Sequence, residues 1–117
     1  MAVTQLETSL RTVGTTVVID LIGEINGFAE PALGAAYHAA ESQDPRAILL
    51  NFSGTDYINS TGIALIVSLL TRTQKSNRRL AAYGLSNHYL EIFQITRLAD
   101  FIDIYTDEAS ALAGMVK

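Results

Sequence analysis

The sequence predicts an α/β fold: a mixed, mainly parallel sheet of about five strands, opened by an antiparallel hairpin and accompanied by about four helices. Three observations carry this. Two strand-like runs near the start, residues 5–12 and 16–22, are separated only by the turn Val13-Gly14-Thr15. Beyond them, helical and strand-like periodicities alternate, which implies parallel strands joined by helical crossovers. The run Ala47-Ile48-Leu49-Leu50-Asn51-Phe52 is apolar almost without interruption, the pattern of a strand buried on both faces.

Each element has its own warrant. In residues 5–12, Leu6, Thr8 and Leu10 fall on one side of a weakly alternating strand, and Thr16-Val17-Val18-Ile19-Asp20-Leu21-Ile22 is β-branched and strongly strand-like. Asp20 reads there as an ordinary solvent-face residue. Gly23-Glu24-Ile25-Asn26-Gly27 is a loop, two glycines bracketing polar residues. Helical spacing follows at Leu33, Ala36, Tyr37 and Ala40, with Pro31 tolerated in the first turn. Asp44-Pro45 ends that helix and starts the strand at 47–52. A second helix runs from Ser60 to about Ser76, and residues 75–78 make a polar turn before the short strand Leu80-Ala81-Ala82-Tyr83. Ser86 and Asn87 suit the start of a third helix carrying Leu90, Phe93 and Gln94. Residues 101–105 read as the last strand and 107–114 as the last helix. No internal repeat, low-complexity tract or linker divides the chain, so residues 1–117 are expected to form one domain.

Composition narrows the function. A hydrophobic fraction of 49% with 17% charged residues fits a folded globule rather than a disordered segment. The absence of cysteine excludes a disulfide framework and thiol catalysis. A net charge of −4 argues against nucleic acid as a partner, and the short basic cluster Lys75, Arg78 and Arg79 reads as a solvated helix end. No apolar run reaches the length of a membrane span, and the first residues lack the pattern of a signal peptide, so a cytoplasmic location without membrane insertion is expected. His38 and His88 have no acidic or histidine neighbours at metal-binding spacing, so no metal or other cofactor is expected. No nucleophile elbow surrounds Ser60, and no phosphate-cradling glycine loop is present, so an enzyme is not expected.

One junction stands apart. Asp56-Tyr57-Ile58-Asn59-Ser60-Thr61-Gly62 lies between the buried strand at 47–52 and the apolar helix run at 63–70. Backbone N–H groups at a helix start lack intrahelical partners, and the macrodipole favours an anion there. Ser60 is therefore a candidate phosphoacceptor; it also suits a plain N-cap, and the two roles are compatible. In the helix beyond, Ile63, Ile66, Val67 and Leu70 form the i, i+3, i+4, i+7 stripe expected against a sheet, with Ile66 and Val67 buried. Leu65 and Leu69 fall on another side. Either the buried stripe is wide, or part of it is exposed beside Ser60 as a docking patch that Phe28 extends. The loops at 24–27 and 56–60 both follow strands, so they should meet at the carboxyl edge of the sheet, where ligands and partners of such folds gather.

The chain resembles the STAS family, the sulphate-transporter and anti-sigma-factor-antagonist domains. Two segments carry the resemblance: Leu21-Ile22-Gly23-Glu24-Ile25-Asn26, similar to the family's Leu-x-Gly-Glu-Leu-Asp, and Tyr57-Ile58-Asn59-Ser60-Thr61-Gly62, similar to its apolar-Asp-Ser-Ser/Thr-Gly phosphorylation motif. Their order and spacing, the apolar helix after the glycine and the closing stretch 101–112 extend the likeness over nearly the whole chain. The resemblance implies a STAS-like fold and a switch protein. Such antagonists bind an anti-sigma factor that is also a serine kinase and are released when the serine matching Ser60 is phosphorylated. A serine phosphatase restores them. Asn59, Thr61, Gly62 and Asn26 become the phosphosite's neighbours, with Gly62 allowing close approach to the modified group. Gly27, Phe28, Tyr57, Ile63, Leu65 and Leu69 become the candidate partner-binding surface. Asn26 and Asn59 stand where the family has aspartates, so both carboxylates near the acceptor are missing. The alternatives are a non-phosphorylated STAS scaffold subunit, in a stressosome-like or ABC-type lipid-transport complex, and a small-molecule-binding or hydrolytic domain that uses Ser60 directly.

Overall fold

The computed structural model describes residues 5–115. Strands β1 (Glu7–Val13) and β2 (Thr16–Ile22) pair antiparallel with Val13 opposite Thr16. This leaves Gly14-Thr15 as a two-residue loop, and Gly14 has φ +61°, the left-handed value that the first position of a II′ hairpin turn demands. A 3-10 turn (Gly27–Ala29) leads into α1 (Glu30–Glu41). Then come β3 (Ala47–Gly54), α2 (Ser60–Lys75), β4 (Arg79–Tyr83), α3 (Asn87–Ile95), a second 3-10 turn (Leu98–Asp100), β5 (Asp103–Tyr105) and α4 (Glu108–Met115). The five strands form one sheet in the order β1-β2-β3-β4-β5, parallel from β2 onward. The predicted fold class and its N-terminal hairpin are those observed.

The doubly buried reading of the 47–52 run also holds. Ile48, Leu50 and Phe52 join Val17, Ile19, Leu21, Leu80 and Ala82 in a core beneath α1, α2 and α3, while Ala47 and Leu49 join Val18, Ala81 and Tyr83 beneath α4. Alternate residues of one strand thus feed two cores, as its pleat requires. Phe52 and Phe93 meet edge-on with ring centroids 6.1 Å apart.

Four expectations need correction. The last strand is shorter than residues 101–105, because Arg97 at φ +67° and the 3-10 turn after it redirect the chain. Phe101 is left outside the strand and exposed, and Ile102 alone of that pair is buried. In α2 the buried face is Gly62, Ile66, Leu69, Leu70 and Thr73, so Val67 is exposed and Leu69 sits in the core. The helix is rotated relative to the stripe read from its apolar residues, because Gly62 anchors its first turn against β2's loop and fixes the phase. Asp20 is no ordinary solvent-face residue. Its carboxylate takes a two-pronged contact from Arg11 (2.7 and 2.9 Å) and an amide N–H from Asn51 (2.7 Å). The polar cluster after α2 is likewise engaged: Arg78, nearly covered, reaches Asp44 and Glu41, and Arg79 reaches Asp103.

Candidate functional site

The loops after β2 and β3 are laced together at the carboxyl edge of the sheet. The Gly23 N–H donates to the Gly54 carbonyl (2.9 Å), the Ile25 N–H to Tyr57 (2.9 Å) and the Asn59 N–H back to Ile25 (3.1 Å). Ile25 and Ile58 form an isolated parallel bridge, and both side chains are buried. Two apolar residues inside otherwise polar loops thus pull the loops into the front core, the one beneath α1, α2 and α3, and continue the β2–β3 ladder past the strands. From the other side, the buried Tyr89 hydroxyl of α3 accepts the Ile58 N–H at 2.8 Å.

This platform aims the start of α2. Asn59 is the N-cap, with extended backbone, its Oδ1 accepting the Gly62 N–H at 2.8 Å. Ser60 is the first helical residue and not the cap. Its side chain is exposed, as is that of Thr61. The Ile63 N–H is taken by the Asn59 carbonyl, so the first two helical N–H groups, on Ser60 and Thr61, are left without an acceptor among the described residues. No acidic residue lies in the first turn of α2. An anion on Ser60 would therefore meet the positive end of a sixteen-residue helix with two free donors beside it.

Gly62 has a different task from the one expected. A Cβ there would lie 2.1 Å from the Ile25 carbonyl oxygen and 2.9 Å from an Ile58 methyl group. The close approach it permits is therefore of the neighbouring loop's backbone and not of a group on Ser60. Asn26 caps the 3-10 turn, its Oδ1 accepting the Phe28 N–H at 2.9 Å, while its Nδ2 lies 3.5 Å from Glu24 Oε2. A Cβ at Gly27 would lie 3.5 Å from the Thr61 methyl, so the turn runs close beside the start of α2. The turn's packing leaves Phe28 85% exposed, and Tyr57, half exposed, rises from the other loop. Ile63 and Leu65 are partly buried against the core. Leu69 is 3% exposed and offers no docking surface, whereas Val67, two residues nearer the site, is 42% exposed.

Of the residues singled out from sequence, the fold thus gathers Ser60, Asn59, Thr61, Gly62, Asn26, Gly27, Phe28 and Tyr57 at one edge. Sequence reasoning missed Tyr89, which pins the loop through a hydrogen bond from thirty-one residues away, and Val67 as a surface residue. The only hint at Tyr89 was its place three residues after the cap Ser86, whose Oγ accepts its N–H. Among the described residues, no group of three or more His, Asp or Glu side chains is placed to hold a metal ion. No helix among them is long and apolar enough to cross a membrane.

The fold and this edge define a class: a small α/β domain presenting a hydroxyl at the start of a helix, beside an exposed aromatic pair. The family model of the STAS domain matches residues 7–111, and the chain belongs to that family. It is 26% identical over 86 residues to the anti-sigma-B factor antagonist of Listeria monocytogenes, covering 74% of this chain and 75% of that protein. Its fold matches the crystal structure of an anti-sigma factor antagonist from Mycobacterium paratuberculosis with a TM-score of 0.84 at 18% identity, over 97% of this chain and 96% of that one. It also matches the phosphorylated form of the Bacillus cell fate determinant SpoIIAA, with a TM-score of 0.69 at 24% identity over 90% of this chain and 96% of that one.

Proposed function

We propose that this chain is an anti-sigma-factor antagonist that works in the cytoplasm by partner switching, with Ser60 as the switch, and that it is not an enzyme. In the unmodified state, Gly27, Phe28, Tyr57, Ile63 and Leu65, with Val67 in place of Leu69, form the face that docks on an anti-sigma factor with serine-kinase activity. Transfer of a phosphoryl group to Ser60 ends that binding, and a serine phosphatase restores it. The observation that carries this reading is the exposed Ser60 hydroxyl beside Phe28 and Tyr57, with two unpaired helix N–H groups at its base. A phosphate adds about −1.5 to −2 charges, which the helix start stabilises within the domain. The same charge is costly when desolvated against an apolar partner surface. Kinship with anti-sigma factor antagonists of Listeria and Staphylococcus aureus supports the choice of partner class.

Calorimetry with the cognate anti-sigma factor tests it. Ser60→Ala should bind as wild type does and stay bound in the presence of ATP, and Ser60→Asp should bind more weakly while keeping the fold. Tight binding by Ser60→Asp, together with no phosphate on Ser60 after incubation with kinase and ATP, would falsify the switch. One observation favours a second reading in that event. Asn26 and Asn59 replace two family carboxylates beside the acceptor, as suits a STAS scaffold subunit that is never phosphorylated. A pull-down that recovers a large assembly or a transport ATPase instead of a kinase would support it.

A further inference from the structure

The two edges of the sheet are built differently. β5 is three residues long and begins with Asp103, the kind of short, charged edge that resists pairing. β1 is seven residues long, pairs with β2 in unbroken register from Glu7 opposite Ile22 to Val13 opposite Thr16, and contains no proline, lysine or bulge. In a hairpin closed by a two-residue loop, the pair flanking the loop exchanges both hydrogen bonds and alternate pairs follow suit. Val13, Arg11, Ser9 and Glu7 therefore direct their backbone groups to β2. Thr8, Leu10 and Thr12 direct theirs outward, and no backbone hydrogen bond outside the sheet uses them among the described residues.

We propose that this edge pairs with the same edge of a second copy of the chain, antiparallel about a two-fold axis through Ser9, joining two five-stranded sheets into one. The outward backbone groups allow only registers that pair Thr8, Leu10 and Thr12 among themselves. In the register centred on Ser9, Thr8 exchanges hydrogen bonds with the second copy's Leu10, and Glu7 lies directly across from its Arg11, twice by symmetry. Shifting either strand by two residues places Arg11 opposite Ser9 or Gln5, and Glu7 opposite Val13 or Ser9, and both charge pairs are lost. Glu7 and Arg11 share one face of the strand, and Arg11 is already held in place by Asp20 and Glu108. The exposed pairs select the register, while the ladder hydrogen bonds hold the copies together. None of the residues involved belongs to the Ser60 loops.

The chain has no cysteine, so Ser9→Cys introduces its only thiol. Directly opposed residues of a non-hydrogen-bonded antiparallel pair have Cβ atoms about 4.5 Å apart, close enough for a bridge. On mild oxidation Ser9→Cys should form a disulfide-linked dimer rapidly, whereas Ser42→Cys, also at an exposed position, should remain largely reduced. Thr8→Pro removes one outward donor per copy without touching the β1–β2 ladder. In sedimentation velocity it should raise the dimer dissociation constant about tenfold or more while circular dichroism stays native. Wild-type protein that is monomeric at every concentration would overturn the proposal. So would Ser9→Cys crosslinking no faster than Ser42→Cys. A dimer that survives Thr8→Pro with free Ser9→Cys thiols would place the contact elsewhere and overturn it equally.

Discussion

Asn59 and Gly62 together hold the start of α2, and each does so by a separable force. The Asn59 side chain satisfies one helix donor, so Asn59→Ala should lower stability by about 1 kcal/mol in urea melts. Asn59→Asp keeps the acceptor and adds a charge that the helix start favours, so stability should hold or rise slightly. The same substitution restores the family's carboxylate beside Ser60. It should raise the rate at which the cognate kinase phosphorylates Ser60, read by phosphate incorporation over time; an unchanged or slower rate would show a kinase adapted to asparagine. At Gly62 the force is repulsion. A methyl group placed 2.1 Å from the Ile25 carbonyl must push the two loops apart, and Gly62→Ala should cost about 2–3 kcal/mol. Partner binding should fall with it, because Phe28 follows that loop directly.

At the scale of the element, α2 separates packing from recognition by rotation alone. Ile66 faces the front core at 1% exposure, and truncation there leaves a cavity that its neighbours fill only in part. Ile66→Ala should cost about 2–4 kcal/mol. Val67, the next residue along, faces outward, and Val67→Ala should change stability by no more than about 0.5 kcal/mol. Yet Val67→Ala should weaken anti-sigma-factor binding in calorimetry if the docking face extends along the helix from Ser60. Equal melts for Ile66→Ala and wild type would mean that the helix face is wrongly assigned. The apolar letters of α2 gave its length and amphipathic character, but five consecutive apolar residues, Ile63 to Val67, fit more than one phase. The phase was settled by Gly62 docking on Ile25, a contact between segments thirty-seven residues apart.

Across the whole molecule, α4 is tied to the back of the sheet by a polar cluster. Arg11 bridges Asp20 and Glu108, and Glu108 also accepts the Tyr83 hydroxyl at 2.7 Å. The Arg11 guanidinium, hydrogen-bonded to both, holds the Asp20 and Glu108 carboxyls below their usual range. Burial, aided by Glu108, pushes the Tyr83 phenol up to about 12. For carboxylates whose folded pKa is depressed, the stabilisation is complete above the unfolded value of about 4 and is lost as pH falls through the folded value. Stability should therefore decline on acidification below about pH 4, and Arg11→Met should flatten that decline. The same variant should cost about 1 kcal/mol at neutral pH, a modest figure because Arg11 and Glu108 are partly solvated. Urea melts from pH 3 to 7 on both proteins would check the sign; a wild-type curve no steeper than that of Arg11→Met would discard the account.

The sequence alone determined the alternation of elements, the parallel sheet with its opening hairpin, and the edge at which the two loops meet. These follow from local periodicity, turn chemistry and the direction of a parallel strand, all of which a short window of residues records. The motif around Ser60 was legible for the same reason, since its residues are consecutive. Tertiary structure decided what depends on distant partners. Asn59 caps the helix in place of Ser60, Gly62 makes room for Ile25, Tyr89 pins Ile58, Leu69 is buried and Val67 is free. A helix can bury several faces of the same apolar run, and a polar residue on a strand can meet water or an arginine. Which of these happens is fixed by steric fit and hydrogen bonding between segments far apart in the chain, and no local pattern encodes that choice.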